Sequence, residues 1–180
     1  MDEEDLREAV RAAADGDGGA WSRLVERFGS LVWSVLRAYG LAEADAADVF
    51  QTTWLRLVEH LGGIQNPGGV GAWLTTTARR ESLRVLRAGS RMVPTEDLTK
   101  LEAPGPDWPT PEALWLGTER SAELWRALLT LTARCQQLLR VLMASPPPSY
   151  AEVAAALDMP IGSIGPVRRR CLEQLRRRLK

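Results

Sequence analysis

Ser149-Tyr150-Ala151-Glu152-Val153-Ala154-Ala155-Ala156-Leu157, then Asp158-Met159-Pro160-Ile161-Gly162, then a basic run to Lys180, is the stretch that decides how this chain is built. Ser149 and Glu152 stand at capping-box spacing, so the serine oxygen meets a backbone N–H three residues on and the glutamate reaches back. Pro146, Pro147 and Pro148 prevent an earlier start. The apolar stripe Val153, Ala154, Leu157 stops at a Pro/Gly turn of a length that swings a second helix across the first. That second helix carries Ile164, Val167, Cys171, Leu175 and Leu179 on its inner side, which leaves Arg168, Arg169, Arg170, Arg176, Arg177 and Arg178 facing outward or snorkelling. Pro166 is expected in the first turn of that helix, where a missing N–H costs little. An arginine-rich final helix alone is also what a solvated face looks like. The capped helix, the turn and the matching period together point to a helix-turn-helix that docks on DNA.

Working outward, the formal net charge of zero conceals a segregation. Residues 1–60 carry twelve acidic and six basic side chains, whereas 73–91 carry five arginines against Glu81 and 159–180 carry seven basic residues against Glu173. Between the two basic patches, residues 92–117 hold five acidic residues, one lysine and five prolines, the composition of a flexible linker with no core of its own.

The chain before this linker reads as helices throughout. Leu6, Ala9, Val10 and Ala13 form a short stripe that ends at Asp15-Gly16-Asp17-Gly18-Gly19. Apolar residues from Trp21 to Tyr39 recur at three- and four-residue steps, and Gly40 closes that helix. Val49, Trp54, Leu57, Val58 and Leu61 mark a third helix, with Glu43, Asp45 and Asp48 near its positive end. Gly62 to Gly69 must be a loop. Val70 to Ala88 makes a fourth helix, with Leu74, Ala78 and Val85 inward and Arg79, Arg80, Arg84 and Arg87 elsewhere around it. Thr118 to Ala144 supplies supporting helices with a break at Thr130-Leu131-Thr132-Ala133. No period-two strand occurs. The fold class is therefore all-α: two small helical domains joined by a flexible linker, the second a helix-turn-helix.

Other classes are excluded on composition. No apolar run approaches the ~18 residues that span a bilayer, and the acidic start Met1-Asp2-Glu3-Glu4-Asp5 is unlike a secretory signal, so a cytoplasmic protein with no membrane partner is expected. Cys135 and Cys171 have no metal spacing and make no disulfide framework, and both stand at apolar helix positions, which predicts core packing. The lone His60 ends a helix, where the dipole favours it, and no nucleophile or carboxylate pair stands at catalytic spacing. Neither an enzyme nor a cofactor is expected.

Three motifs in this order and spacing resemble a bacterial RNA polymerase sigma factor of the extracytoplasmic-function (ECF) group. Asp45-Ala46-Ala47-Asp48-Val49-Phe50-Gln51-Thr52-Thr53-Trp54-Leu55 is similar to the family's polymerase-binding helix. Ala72-Trp73-Leu74-Thr75-Thr76-Thr77-Ala78-Arg79-Arg80 is similar to its promoter-melting helix, and Ser149 to Leu157 with its turn is similar to the start of its helix-turn-helix. The resemblance covers nearly the whole chain. It implies a region 2-like domain over 1–91, a linker over 92–117 and a region 4-like domain over 118–180.

The resemblance further implies a promoter-specificity subunit with no catalysis of its own, with core RNA polymerase and promoter DNA as partners. Asp48, Val49, Gln51, Trp54 and Leu55 would meet the polymerase, although Trp54 equally suits a core. Asn66, Trp73, Thr76, Thr77, Arg79, Arg80 and Arg84 would hold the unpaired minus-10 strand, an extruded base entering the loop Ile64 to Gly71. Asn66 is also good turn chemistry, and Trp73 also suits an anchor against Trp21 or Trp33. At the minus-35 element, Ser149, Ser163, Gly165, Arg168, Arg169 and Arg170 would meet the major groove. Gly165-Pro166 departs from relatives that are polar there, and Glu81 stands where relatives often have asparagine. The flexible linker permits clamping by an anti-sigma factor, as in many relatives. The alternative is a sigma-like DNA-binding regulator that does not engage core polymerase. Two independently folded units are expected, set at a fixed distance only by the polymerase.

Overall fold

Asp2 opens the first helix with a full capping box to Asp5, and α1 runs Glu3–Ala14. The computed structural model describes residues 2–64, 66–91 and 119–179, all in helices, short 3-10 turns and loops. The linker expected over 92–117, and Thr118 after it, lie outside the described residues. Asp17 accepts from the N–H groups of Gly19 and Ala20 and starts α2, Gly18–Ala38. Gly40, with φ of +69°, takes the left-handed step that turns the chain toward α3, Glu43–His60. Single 3-10 turns at Leu61–Gly63 and Pro67–Gly69 lead into α4, Val70–Arg91.

In the C-terminal part, α5 is Glu119–Leu129, and Thr132 caps α6, Ala133–Leu142, at the expected break. The Ser149–Glu152 capping box is formed and α7 spans Tyr150–Leu157. Asp158 ends α7 in the left-handed conformation, and α8 follows over Ile161–Arg178. This start places Pro166 in the second turn of α8 rather than the first, because Pro160 occupies the N-cap. The eight described helices match the all-α expectation.

Packing departs from expectation in four places. Val58, placed on the inner stripe of α3, is 53% exposed, and Leu179 at the end of α8 is 36% exposed. Trp21 meets Trp54 edge-on at 5.6 Å and Trp33 stacks on Phe50 at 4.9 Å, while Trp73 lies against His60 instead of either core tryptophan. Cys135 and Cys171 are joined in a disulfide across α6 and α8. Both cysteines do face the core, but where the two helices cross their Cα atoms come within 5.4 Å, a proximity that a sequence separation of 36 could not reveal.

The fourth departure concerns the two units. They share one continuous buried core, in which Leu24, Phe28 and Leu74 of the N-terminal part continue into Leu138, Val153 and Ala156 of the C-terminal part. Apolar inner faces of α2 and α4 extend further round the helix than α1 and α3 can cover, and α6 and α7 take up the remainder. In this structure the two helical parts therefore pack on each other rather than standing apart. The expected exposure of the final arginines holds, since Arg168, Arg169, Arg170, Arg176, Arg177 and Arg178 are all exposed.

Candidate polymerase and nucleic-acid surfaces

Helix α3 divides its motif between two faces. Asp48, Gln51 and Leu55 are exposed, whereas Val49 and Trp54 are buried at 2% and 6% exposure. Positions 48, 51, 55 and 58 fall on one side at helical spacing, so Val58 joins the open face as a residue that sequence reasoning assigned to the core. Leu55 is 59% exposed, and two large apolar side chains in a polar rim make an unpaired surface. The buried Trp54 indole N–H has no hydrogen-bond partner among the described residues, so the ring contributes through packing on Trp21 and Phe50.

The loop before α4 combines a polar side chain with an open cleft. Asn66 is exposed, and its carbonyl accepts from the N–H of Gly69 while its amide makes no cap hydrogen bond. A cleft of about 490 Å³ beside it is lined by Arg7, Arg11, Leu61, Ile64, Asn66 and Pro67. Helix α1 therefore delivers two arginines to the loop, which sequence reasoning missed under the acidic balance of the N-terminal segment. Their i,i+4 spacing on one side of α1 was the available signal. Arg7 also pairs with Glu3 and Glu4, at 2.5 and 3.3 Å.

On α4, Trp73, Thr76, Thr77, Arg80 and Arg84 share a side by helical spacing. Arg80 and Arg84 are exposed, and Trp73, Thr76 and Thr77 are half-buried. Arg79 lies off that side, its side chain 16% exposed and paired with Asp158 at 2.9 Å. Glu81 is 4% exposed and receives Arg56 at 2.9 Å and Arg84 at 2.7 Å. One buried carboxylate thus links α3 to α4 and fixes two outward arginines, a charge-assisted arrangement that limits their freedom.

The helix-turn-helix presents an uneven surface. Ser149 spends its hydroxyl on the Glu152 N–H and Ser163 donates its own to the Pro160 carbonyl at 2.7 Å, so both serve the local turns. Gly165 is half-buried with open space where a Cβ would stand. Arg169 and Arg170 lie away from the buried Ile164 and Cys171, while Arg168 borders an apolar cleft with Trp125, Met143 and Leu172. Ile161, 54% exposed at the helix start, is an apolar group that sequence reasoning did not single out; a thymine methyl is a fitting partner for such a side chain.

Among the described residues no group of three or more His, Cys, Asp or Glu side chains could hold a metal ion, and no helix is long and apolar enough to cross a membrane. Residues 24–92 match the family model Sigma-70 region 2. The chain is 27% identical over 164 residues to the ECF RNA polymerase sigma-E factors of Escherichia coli K12 and Salmonella typhimurium LT2, covering 86% of this chain and 84% of each relative. Its fold is similar to that of CnrH in complex with the cytosolic domain of CnrY, with a TM-score of 0.60 and 22% identity over 95% of this chain and 94% of that one. It is likewise similar to the sigma factor RpoE in complex with the anti-sigma factor NepR from Bartonella quintana, with a TM-score of 0.60 and 20% identity over 88% and 96%. The matched region 2 segment holds both the open face of α3 and the basic side of α4, and with these relatives it establishes that the chain belongs to the RNA polymerase sigma factors of the ECF group.

Proposed function

We propose that this sigma factor, which binds core RNA polymerase for promoter recognition, divides that task among three surfaces. The open face of α3, with Asp48, Gln51, Leu55 and Val58, meets the polymerase; Val49 and Trp54 set the backbone of that face from beneath. The cleft at Asn66, with Arg7 and Arg11 at its rim, receives an unpaired base of the minus-10 element. Trp73, Thr76, Thr77, Arg80 and Arg84 hold the adjoining strand by stacking and phosphate contacts. Residues 1–91 are the region 2-like part and 118–180 the region 4-like part, with α8 offering Arg169 and Arg170 to the minus-35 element.

The observation that carries this reading is the coincidence of an exposed apolar-polar stripe on α3 with a basic side on α4, tied together by Glu81. A sigma factor supplies no bond-making chemistry, so these surfaces only select and hold DNA while the polymerase reacts. We assign the protein to the cytoplasm, where the polymerase works, and an anti-sigma factor as a further partner, since the RpoE of Bartonella quintana was found with one. Run-off transcription with purified core polymerase tests the assignment. Initiation should depend on the chain, and Asp48→Ala with Gln51→Ala should weaken capture of core enzyme; initiation unchanged by the chain over many promoters rejects it.

A further inference from the structure

The chain's one histidine closes α3 between the cleft at Asn66 and the basic side of α4. His60 is exposed, and its imidazole lies 5.6 Å from the Trp73 indole with the two planes at 41°. Leu61, the next residue, lines the cleft, while Trp73 leads the side of α4 that carries Thr76, Thr77, Arg80 and Arg84. Residues on either side of this ring are thus those that would meet an extruded base and its neighbours.

The ring is held by a bond that its protonation leaves intact. Nδ1 stands 2.8 Å from the Arg56 carbonyl, and because a carbonyl only accepts, Nδ1 donates. Nε2 has no hydrogen-bond partner among the described residues. In the neutral ring Nε2 is an acceptor, and in the charged ring it is a donor, so a proton reverses what the open edge offers while the Arg56 bond persists.

Charged groups on the elements packed there leave room for a phosphate. Arg56 and Arg84 are answered by Glu81, and Arg7 by Glu3 and Glu4. Arg80 on α4 and Arg11 on α1 have no carboxylate partner among the described residues. Glu59 precedes His60 on α3, but successive side chains on a helix do not face each other. The 3-10 turn Leu61–Gly63 carries no charge.

We propose that His60 is a further contact for the unpaired minus-10 strand: its ring and Trp73 form one stacking platform, and protonated Nε2 donates to a strand phosphate, so that strand affinity rises as pH falls. The inference rests on the reading of α4 as the strand-binding helix. Stacking on the two rings tolerates any base and adds affinity, while the proton makes part of that affinity conditional. Proton and strand each favour the other's binding by the same factor.

The test uses the full chain and a rhodamine-labelled oligothymidine strand, whose bases do not titrate near neutrality, with binding followed by anisotropy at low, constant salt. The parent should bind about threefold tighter at about pH 6 than at about pH 8. His60→Gln should abolish that difference. His60→Phe, which keeps a ring against Trp73, should also be flat with pH yet bind about threefold tighter than His60→Ala. A parent flat with pH, a pH difference that survives in His60→Gln, or a His60→Phe no tighter than His60→Ala overturns the contact, and a ring with a merely structural role predicts the first. Arg80→Ala with Arg84→Ala, both at exposed positions, keeps the two readings apart. Parental strand affinity in that double variant removes the assignment of α4, and the His60 contact with it; weakened binding there beside a flat parental pH profile overturns the His60 contact alone.

Discussion

Leu55 and Val58 give the sharpest separation between a docking face and a core. At ~0.8 kcal/mol per buried carbon, Leu55→Ala removes three carbons from a side chain 59% exposed, which leaves ~1.4 kcal/mol for a partner to gain by covering it. Val58→Ala removes two carbons at 53% exposure, ~0.8 kcal/mol on the same scale. Together they should weaken binding to core polymerase by ~2.2 kcal/mol, about 40-fold in Kd. Neither side chain contributes much to the folded chain by itself, so the midpoint of thermal unfolding should move by only about 1–2 °C.

Trp54→Ala supplies the contrast on the same helix. Its ring is buried against Trp21 and Phe50, and truncation should cost ~3–5 kcal/mol of stability. Fluorescence anisotropy with labelled core enzyme, beside thermal unfolding of each variant, checks both. A double variant that binds core enzyme with parental affinity would refute the placement of the polymerase on this face, and a fully stable Trp54→Ala would refute the core assignment.

Three further outcomes follow from other positions. Glu81→Ala should lower stability by ~1–2 kcal/mol, less than for a wholly buried pair because Arg56 and Arg84 are 48% and 68% exposed and rehydrate; it should also weaken single-strand binding by freeing Arg84, and binding unchanged in titrations over a salt series would show that Arg84 is not held for DNA. The Asp17 carboxyl is pulled below its ordinary 3.8, first by the Ala20 N–H and then by the Gly19 N–H. Its capping contribution is fully present above that pKa and is lost as pH falls through the lowered one, so Asp17→Asn should flatten the acid end of a stability-pH curve, and a parallel curve would contradict the cap. Breaking the Cys135–Cys171 bond, which spans 36 positions, should cost ~3–4 kcal/mol in the chain-entropy account, read as a lower unfolding midpoint under reductant that Cys135→Ser no longer shows.

Most of the helices could be read in the sequence because their signals are local. The Ser149–Glu152 box, the Thr132 break and the glycine-rich loop each act over three or four residues, and each helix boundary they imply lies within a few positions of the structure. Faces proved harder than helices. Val58 and Leu179 fit an apolar period, yet no neighbouring helix covers them, and periodicity reports spacing without reporting a partner. The Cys135–Cys171 bond, the Glu81 bridge and the delivery of Arg7 and Arg11 to the loop at Asn66 all depend on how helices cross. No single stretch of chain carries that information.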